Sequence, residues 1–129
     1  MIFVDSNIPM YLVGAAHPNR ELLEAFLRRR TGEHYVTSAE VYQEILYRYV
    51  AINRRGAIED AFGVLDALVV SVFPISRDEV EVARQAIERQ PELSARDCLH
   101  LAVMQAHGIH HALTFDRSFS ARTGITVLP

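Results

Sequence analysis

The chain has 129 residues, half of them apolar, and a formal net charge of −3. This length and composition predict a single folded domain over residues 1–129 and argue against a disordered chain. The slight negative charge gives no overall field that attracts nucleic acid, and all 13 basic residues are arginine, which excludes any mechanism that needs a lysine.

Cysteine usage and the amino terminus predict a cytoplasmic protein. Cys98 is the only cysteine, which excludes an internal disulfide and fits a reducing compartment. The apolar run Ile2–Val4 is too short for a signal peptide and ends at Asp5. No stretch approaches the roughly 20 apolar residues of a membrane-spanning helix, so no membrane contact is expected.

Short apolar runs alternate with amphipathic segments along the chain. Strands are expected at Ile2–Val4, Tyr35–Val36, Val70–Ile75, Ala112–Thr114 and Thr126–Leu128. Helices are expected at Pro18–Arg30, Thr37 to about Ile52, Ala57–Val69, Ser76 to about Arg89, and Ser94–His107. This alternation predicts an α/β fold with a small, mostly parallel central sheet flanked by helices.

The helix that begins near Thr37 carries apolar and aromatic residues nearly all round, in the run VYQEILYRYVAI. Such a helix is buried on more than one side. Two interpretations are open. The helix lies at the centre of the core, or it is shared between the core and a partner, because tyrosine is enriched at interfaces.

Two aspartates follow predicted strands directly. Asp5 ends the first strand, and Asp116 lies just beyond the strand that ends near Thr114. In a parallel sheet both carboxylates emerge at the same end, where ligands of open α/β sheets bind. Each residue alone is equally compatible with a turn, because aspartate commonly ends strands.

Two further acids lie on predicted helices. Asp97 is in the first turn of its helix, where Ser94 as N-cap offers a purely structural explanation. Thr37 and Glu40 fit a capping box, which explains Glu40. Glu44 has no such explanation and lies among apolar residues, so Glu44 is the better functional candidate.

A meeting of all four acids requires a cation. Two unit charges about 4 Å apart repel by roughly 4 kcal/mol at an effective dielectric constant of about 20. Hard oxygen ligands select Mg²⁺ or Mn²⁺. The acids therefore either form a divalent-metal site or do not meet.

Four motifs in order carry a family resemblance: VDSN, SAEVYQEI, RDCLHLAVMQAHGI and LTFDRSF. Over residues 2 to about 128 the sequence resembles the PIN-domain family, and most of all the toxin ribonucleases of VapBC toxin–antitoxin pairs. The resemblance implies a three-layer α/β/α fold around a small parallel sheet. It also implies Mg²⁺- or Mn²⁺-dependent cleavage of RNA, and a cognate VapB-like antitoxin as partner.

The resemblance assigns roles to the four acids by motif. Asp5, Asp97 and Asp116 match direct or water-mediated metal ligands, and Glu44 matches a ligand or a base that orients water. Through the bound cation, water would become a nucleophile near neutral pH and attack the phosphodiester.

Two serines and two arginines complete the predicted site. Ser6 matches the small hydroxyl residue that often follows the first aspartate, as a supporting residue. Ser118 stands where the family often has a further acid, so one tightly held ion is expected, with another recruited by substrate phosphate. Arg96 and Arg117, beside Asp97 and Asp116, are candidates to hold RNA phosphates, although solvated surface arginines fit equally well.

Several alternatives remain open. His100 lies one helical turn after Asp97, where it either approaches substrate or, as is commoner, is a surface or satisfied core residue. The tyrosine-bearing helix is a candidate homodimer or antitoxin face.

Other protein families are excluded by missing residues. Receiver domains and haloacid-dehalogenase-like phosphatases need a lysine, which the sequence lacks. Nucleotide-binding folds need a Gly-rich phosphate loop, and the sequence has none. The remaining rival is a catalytically impaired PIN-like module that binds RNA or protein without cleaving.

Overall fold

A parallel five-stranded sheet lies at the centre of the protein. The computed structural model describes residues 1–120 and 123–129. In these residues the strands are β1 (Ile2–Val4), β2 (Tyr35–Ser38), β3 (Ser71–Phe73), β4 (His111–Leu113) and β5 (Thr126–Leu128). Their order is β3-β2-β1-β4-β5, and every neighbouring pair is parallel.

Helices cover the sheet. In the described ranges they are α1 (Asn7–Val13), α2 (Pro18–Arg29), α3 (Ala39–Ala51), α4 (Ile58–Leu68), α5 (Arg77–Arg89) and α6 (Ala95–Ala106), with short 3-10 helices at Arg55–Ala57 and Arg117–Ser120. Every residue of β1 and β2 is buried, which requires cover on both faces of the sheet. The predicted α/β fold class, with helices flanking a small parallel sheet, is confirmed.

None of the helices in the described part of the chain combines the length and apolar character that a membrane crossing requires.

Element boundaries agree with the sequence-based expectation to within two residues, with one omission. Helix α1 was not expected. It is seven residues long and contains Pro9, and Ser6 before it forms no side-chain capping bond. Proline is tolerated in the first turn of a helix, and Ile8 and Pro9 are buried, so packing rather than local sequence signals explains this helix.

The predicted capping box of Thr37 and Glu40 is wrong. Thr37 lies in β2, and its Oγ1 donates a hydrogen bond to the carbonyl oxygen of Val4 at 2.8 Å, which joins β2 to β1. The N-cap of α3 is Ser38, whose side chain forms no capping bond. The predicted N-cap of α6 is confirmed, since Ser94 Oγ accepts a hydrogen bond from the Asp97 N–H at 3.1 Å.

Helix α3 is buried on one face and exposed on another. Val41, Ile45 and Tyr49 are buried in the core. A second apolar set, here called the α3 outer face, is exposed and consists of Leu46, Tyr47 and Val50. The expectation of burial on more than one side is therefore met only if a partner covers the α3 outer face.

Candidate metal centre

An acidic cavity lies at the carboxyl ends of the strands. The chain leaves β1 toward β2 on one side of the sheet, whereas β4 pairs with β1 on the other, so the strand order reverses there. The cavity has a volume of about 270 Å³ and is lined by Asp5, Ser6, Asn7, Tyr11, Glu44, Arg48, Asp97, Phe115 and Asp116. The fold thus brings together all four predicted acids and Ser6.

Asp5 is held by neutral donors at the end of β1. Its Oδ1 accepts a hydrogen bond from the Ser6 N–H at 2.7 Å. Its Oδ2 accepts hydrogen bonds from Thr114 Oγ1 at 2.7 Å and from Asn7 Nδ2 at 3.3 Å. Thr114 is 1% exposed, and its hydroxyl also accepts from Asn7 Nδ2 and from the Asp116 N–H, which uses its full hydrogen-bonding capacity. These bonds join the end of β1 to the end of β4.

Glu44 is a buried carboxylate with a donor on each oxygen. Ser6 Oγ donates to Oε2 at 2.8 Å, and His100 Nε2 lies 3.2 Å from Oε1. Burial alone would raise the pKa of Glu44, but the hydrogen bonds from His100 and Ser6 and the charge of Arg48 outweigh burial and lower it. The balancing groups that an ionised Glu44 requires are therefore present.

His100 is a core residue aimed at the acids. It is 2% exposed, and its Nε2 also lies 3.8 Å from Asp5 Oδ1. Burial disfavours the charged ring, but Glu44 and Asp5 outweigh burial and raise the pKa of His100. Its Nδ1 is buried, and no described residue offers it a hydrogen-bond partner. A hydrogen on Nδ1 would have no acceptor, so Nε2 carries the hydrogen and donates it to Glu44.

Asp97 lies in the first turn of α6 and is half-buried. Burial and the nearby carboxylates of Asp116 and Asp5 raise the pKa of Asp97. Burial is the largest of these effects, and repulsion from Asp116 and Asp5 adds to it.

Ser118 contributes hydrogen bonds where the family often has an acid. Its N–H and its Oγ donate to Asp116 Oδ1 at 3.1 Å and 2.6 Å. Asp116 itself is exposed at the rim of the acidic cavity. Ser118 therefore orients Asp116 and adds no charge to the site.

The donor set fits a divalent cation. One atom each of Asp5, Glu44 and His100 lies within 4.8 Å of the other two, and Asp97 and Asp116 line the same cavity. The hydrogen on His100 Nε2 leaves the carboxylates as the available ligands. A site of carboxylate oxygens suits hard cations such as Mg²⁺ or Mn²⁺.

The two predicted RNA-binding arginines lie outside the lining of the cavity. Arg96 stacks on Tyr47, with its guanidinium carbon 4.3 Å from the ring centroid. Arg117 is exposed and begins the 3-10 helix beside Asp116. Among the described residues that line the cavity, the cation is instead Arg48, one helical turn after Glu44.

Sequence reasoning missed Asn7, Thr114 and Arg48. The sequence-based prediction contains Asn7 only as a member of the VDSN motif, and Thr114 only as the end of a strand. Two signals in the sequence could have identified them. Thr114 carries a hydroxyl two residues before Asp116. Arg48 lies four residues after Glu44, and residues four apart share a helix face.

Comparisons with known proteins identify relatives of this chain. The PIN domain family model matches residues 2–124. Ribonuclease VapC13 of Mycobacterium tuberculosis is 54% identical in a 129-residue alignment that covers 97% of each chain. The crystal structure of M. tuberculosis VapC20, described as a toxin that cleaves the sarcin-ricin loop, superposes with a TM-score of 0.83 at 27% identity over the whole of both chains.

A more distant structure shows the same fold. It is VapBC2 of Rickettsia felis bound to a DNA fragment from its promoter, with a TM-score of 0.73 at 13% identity over 99% of this chain and 98% of that chain. At this identity the likeness concerns the fold alone.

Proposed function

The chain belongs to the PIN domain family, and within it to the VapC ribonucleases, and we propose that it is a metal-dependent endoribonuclease. It hydrolyses RNA phosphodiester bonds as the toxin of a VapBC-type toxin–antitoxin pair. We further propose that residues 1–129 act as a single domain. The observation that carries this proposal is the convergence of four carboxylates in one cavity at the carboxyl ends of the strands.

Asp5, Asp97 and Asp116 hold Mg²⁺ or Mn²⁺ in this proposal. A cation there supplies positive charge that activates water and offsets the negative charge on the phosphoryl oxygens. The raised pKa of Asp97 supports the assignment, because burial and the neighbouring carboxylates of Asp116 and Asp5 both disfavour its charge in the absence of a cation. Ser118 adds no carboxylate, which supports one tightly held ion, with a second recruited by substrate phosphate.

Glu44 is either a further ligand or the base that orients the attacking water. Ser6 and His100 hold its two oxygens, so the carboxylate cannot turn away from the cavity. Its lowered pKa keeps it ionised at neutral pH, which both roles require. Ser6 and His100 therefore position Glu44, while Arg96 and Arg117 remain candidates to hold more distant phosphates.

The direct test incubates the purified protein with total RNA in Mg²⁺, in Mn²⁺ and in chelator, and maps the cut ends. Cleavage is expected with metal and absent with chelator. Asp5→Asn and Glu44→Gln abolish cleavage, whereas Glu40→Gln, on the same helix but outside the lining of the cavity, cleaves as the wild type does. Equal cleavage by Asp5→Asn and wild type would contradict the proposed site.

The second candidate is a PIN-like module that binds RNA or protein without cleaving. One observation favours it, namely Ser118 at a position where the family often has an acid. The same experiment separates the two, since this module binds RNA yet leaves total RNA intact in both metals.

A VapB-like antitoxin and a second copy of this chain are the proposed protein partners. The antitoxin would present a basic side chain to the carboxylates of the acidic cavity. The α3 outer face supports a homodimer, because Leu46, Tyr47 and Val50 are each more than 40% exposed and line the same surface pocket on α3.

A further inference from the structure

A second cavity adjoins the acidic cavity and shares its wall. This side cavity has a volume of about 210 Å³ and is lined by Asn7, Met10, Tyr11 and Arg48. Asn7, Tyr11 and Arg48 also line the acidic cavity. A ligand whose reacting group lies among the acids therefore extends naturally into the side cavity.

Tyr11 gives the side cavity a rigid aromatic wall. Its ring packs edge-on against Phe115, with centroids 5.1 Å apart, and at a tilt of 45° against His17, with centroids 5.0 Å apart. Tyr11 is only half-buried, so part of its surface faces the two cavities. An aromatic side chain held by its neighbours is a stacking surface for an unpaired nucleobase, since every base has a π-face.

Arg48 gives the same cavity a positive charge. Its side chain is exposed, and no salt bridge of Arg48 occurs among residues 1–120 and 123–129. Arg20, Arg30, Arg77 and Arg84, by contrast, each pair with a glutamate close in sequence. A guanidinium that lines both cavities together with an aromatic ring suits a phosphate oxygen of a bound nucleotide.

We propose that the side cavity is a nucleotide subsite for single-stranded RNA. Tyr11 stacks on the base of a nucleotide that flanks the scissile phosphodiester, and Arg48 binds an adjacent phosphate. The inference rests on the proposed ribonuclease function and adds to it the class of ligand and its two contacts. The RNA must be unpaired at this position, because a base inside a duplex offers no free face to Tyr11.

The test measures binding of a short, fluorescein-labelled single-stranded RNA in Ca²⁺, with gels to verify that the probe stays intact. Tyr11→Leu weakens binding by roughly 5- to 150-fold, while Tyr11→Phe restores most of it because the ring remains. Arg48→Gln makes the negative slope of the logarithm of the association constant against the logarithm of the salt concentration shallower by about 0.7, whereas Arg48→Lys leaves that slope unchanged. Arg84→Gln, on α5 and outside both cavities, is the matched control and binds as the wild type does.

A scan with abasic nucleotides identifies the stacked base. In the wild type, one abasic position weakens binding, and in Tyr11→Leu the same position has no further effect, because the two changes remove one interaction. Additive losses at every position would overturn the proposal. Ultraviolet cross-linking of the wild type, with the site located by mass spectrometry, tests the same contact without a variant, and cross-links confined to residues outside both cavities would also overturn it.

These results separate the subsite from the proposed hydrolysis. Coupling between Tyr11 and one base in a protein that leaves total RNA intact supports the subsite and contradicts hydrolysis. Metal-dependent cleavage with no coupling contradicts the subsite alone. Variants of Tyr11 and Arg48 that bind RNA normally but lose antitoxin would show that the side cavity holds a peptide, which overturns the proposal.

Discussion

Replacing His100 by leucine tests whether its imidazole holds Glu44. The substitution removes the donor on Oε1 and leaves a buried carboxylate with Ser6 as its remaining side-chain donor. A hydrogen bond to a charged group contributes about 1.5–3 kcal/mol, so His100→Leu should lower the free energy of unfolding by about that amount. His100→Gln, whose amide offers a donor at a similar position, should restore part of the loss.

The pH dependence of this difference follows from the two pKa shifts. The pKa of Glu44 is lowered from 4.5 in the folded protein, so its contribution to stability is present above that value and is lost as pH falls through the folded pKa. The pKa of His100 is raised from 6.5, so its contribution is present below that value and is lost as pH rises through the folded pKa. In chelator, the stability gap between wild type and His100→Leu should be largest between about pH 4.5 and 6.5 and should narrow at more acid pH.

Urea unfolding followed by circular dichroism, in chelator and across this pH range, measures the gap. His110→Leu is the control, since His110 is exposed and precedes β4, and it should change the free energy of unfolding by no more than about 0.5 kcal/mol. A His100→Leu protein as stable as the control, or a gap that widens steadily toward acid pH, would show that His100 does not hold an ionised Glu44.

Three further predictions concern the metal and the surface. The pKa of Asp97 is raised in the folded protein, so in chelator the free energy of unfolding should fall as pH rises through that pKa. Over the same pH range, the Mn²⁺ affinity measured by calorimetry should rise. In Asp97→Asn that affinity should be nearly independent of pH. Ser118→Asp adds a carboxylate beside Asp116 and should raise Mn²⁺ affinity, with a second ion visible in the calorimetric stoichiometry; unchanged binding would show that this side of the cavity holds no ion. Tyr47→Glu on the α3 outer face should convert a dimer to monomer, as measured by light scattering. Leu22→Glu, at an equally exposed leucine on α2, should leave the mass unchanged. An unchanged mass in Tyr47→Glu would remove the support for a dimer through this face.

The sequence predicted the sheet well because its strands are short apolar runs separated by strongly periodic helices. Hydrophobic periodicity depends only on local spacing, so it located α2 to α6 within two residues. Helix α1 was not predicted, because a seven-residue segment with an internal Pro9 carries no periodic signal. Its stability comes from burial of Ile8 and Pro9 against the rest of the fold.

Within the candidate site, position could be predicted and partners could not. Asp5 and Asp116 were found because parallel strands direct their carboxyl ends to one edge of the sheet. Glu44 was preferred to Glu40 partly because of a capping box that the structure contradicts. The preference still agrees with the geometry, since Glu44 lines the acidic cavity. The second reason holds wherever the helix begins, because a buried acid among apolar residues needs polar partners. His100 was not predicted as a partner because it is separated from Glu44 by 56 residues, and only the packing of α3 against α6 joins them.

The unequal treatment of the four acids suggests how the site works as a unit. Hydrogen bonds hold both oxygens of Asp5 and both oxygens of Glu44, so these two carboxylates have a fixed orientation in the absence of a cation. Asp97 has the raised pKa, and Asp116 is exposed and oriented by Ser118. In the proposed metal site, the charge of a bound cation would therefore be balanced mainly at Asp97, whose pKa is raised by burial and by the carboxylates of Asp116 and Asp5. If the cavity binds RNA and metal as proposed, the fixed carboxylates would preserve its shape for RNA while its affinity for metal changes with pH.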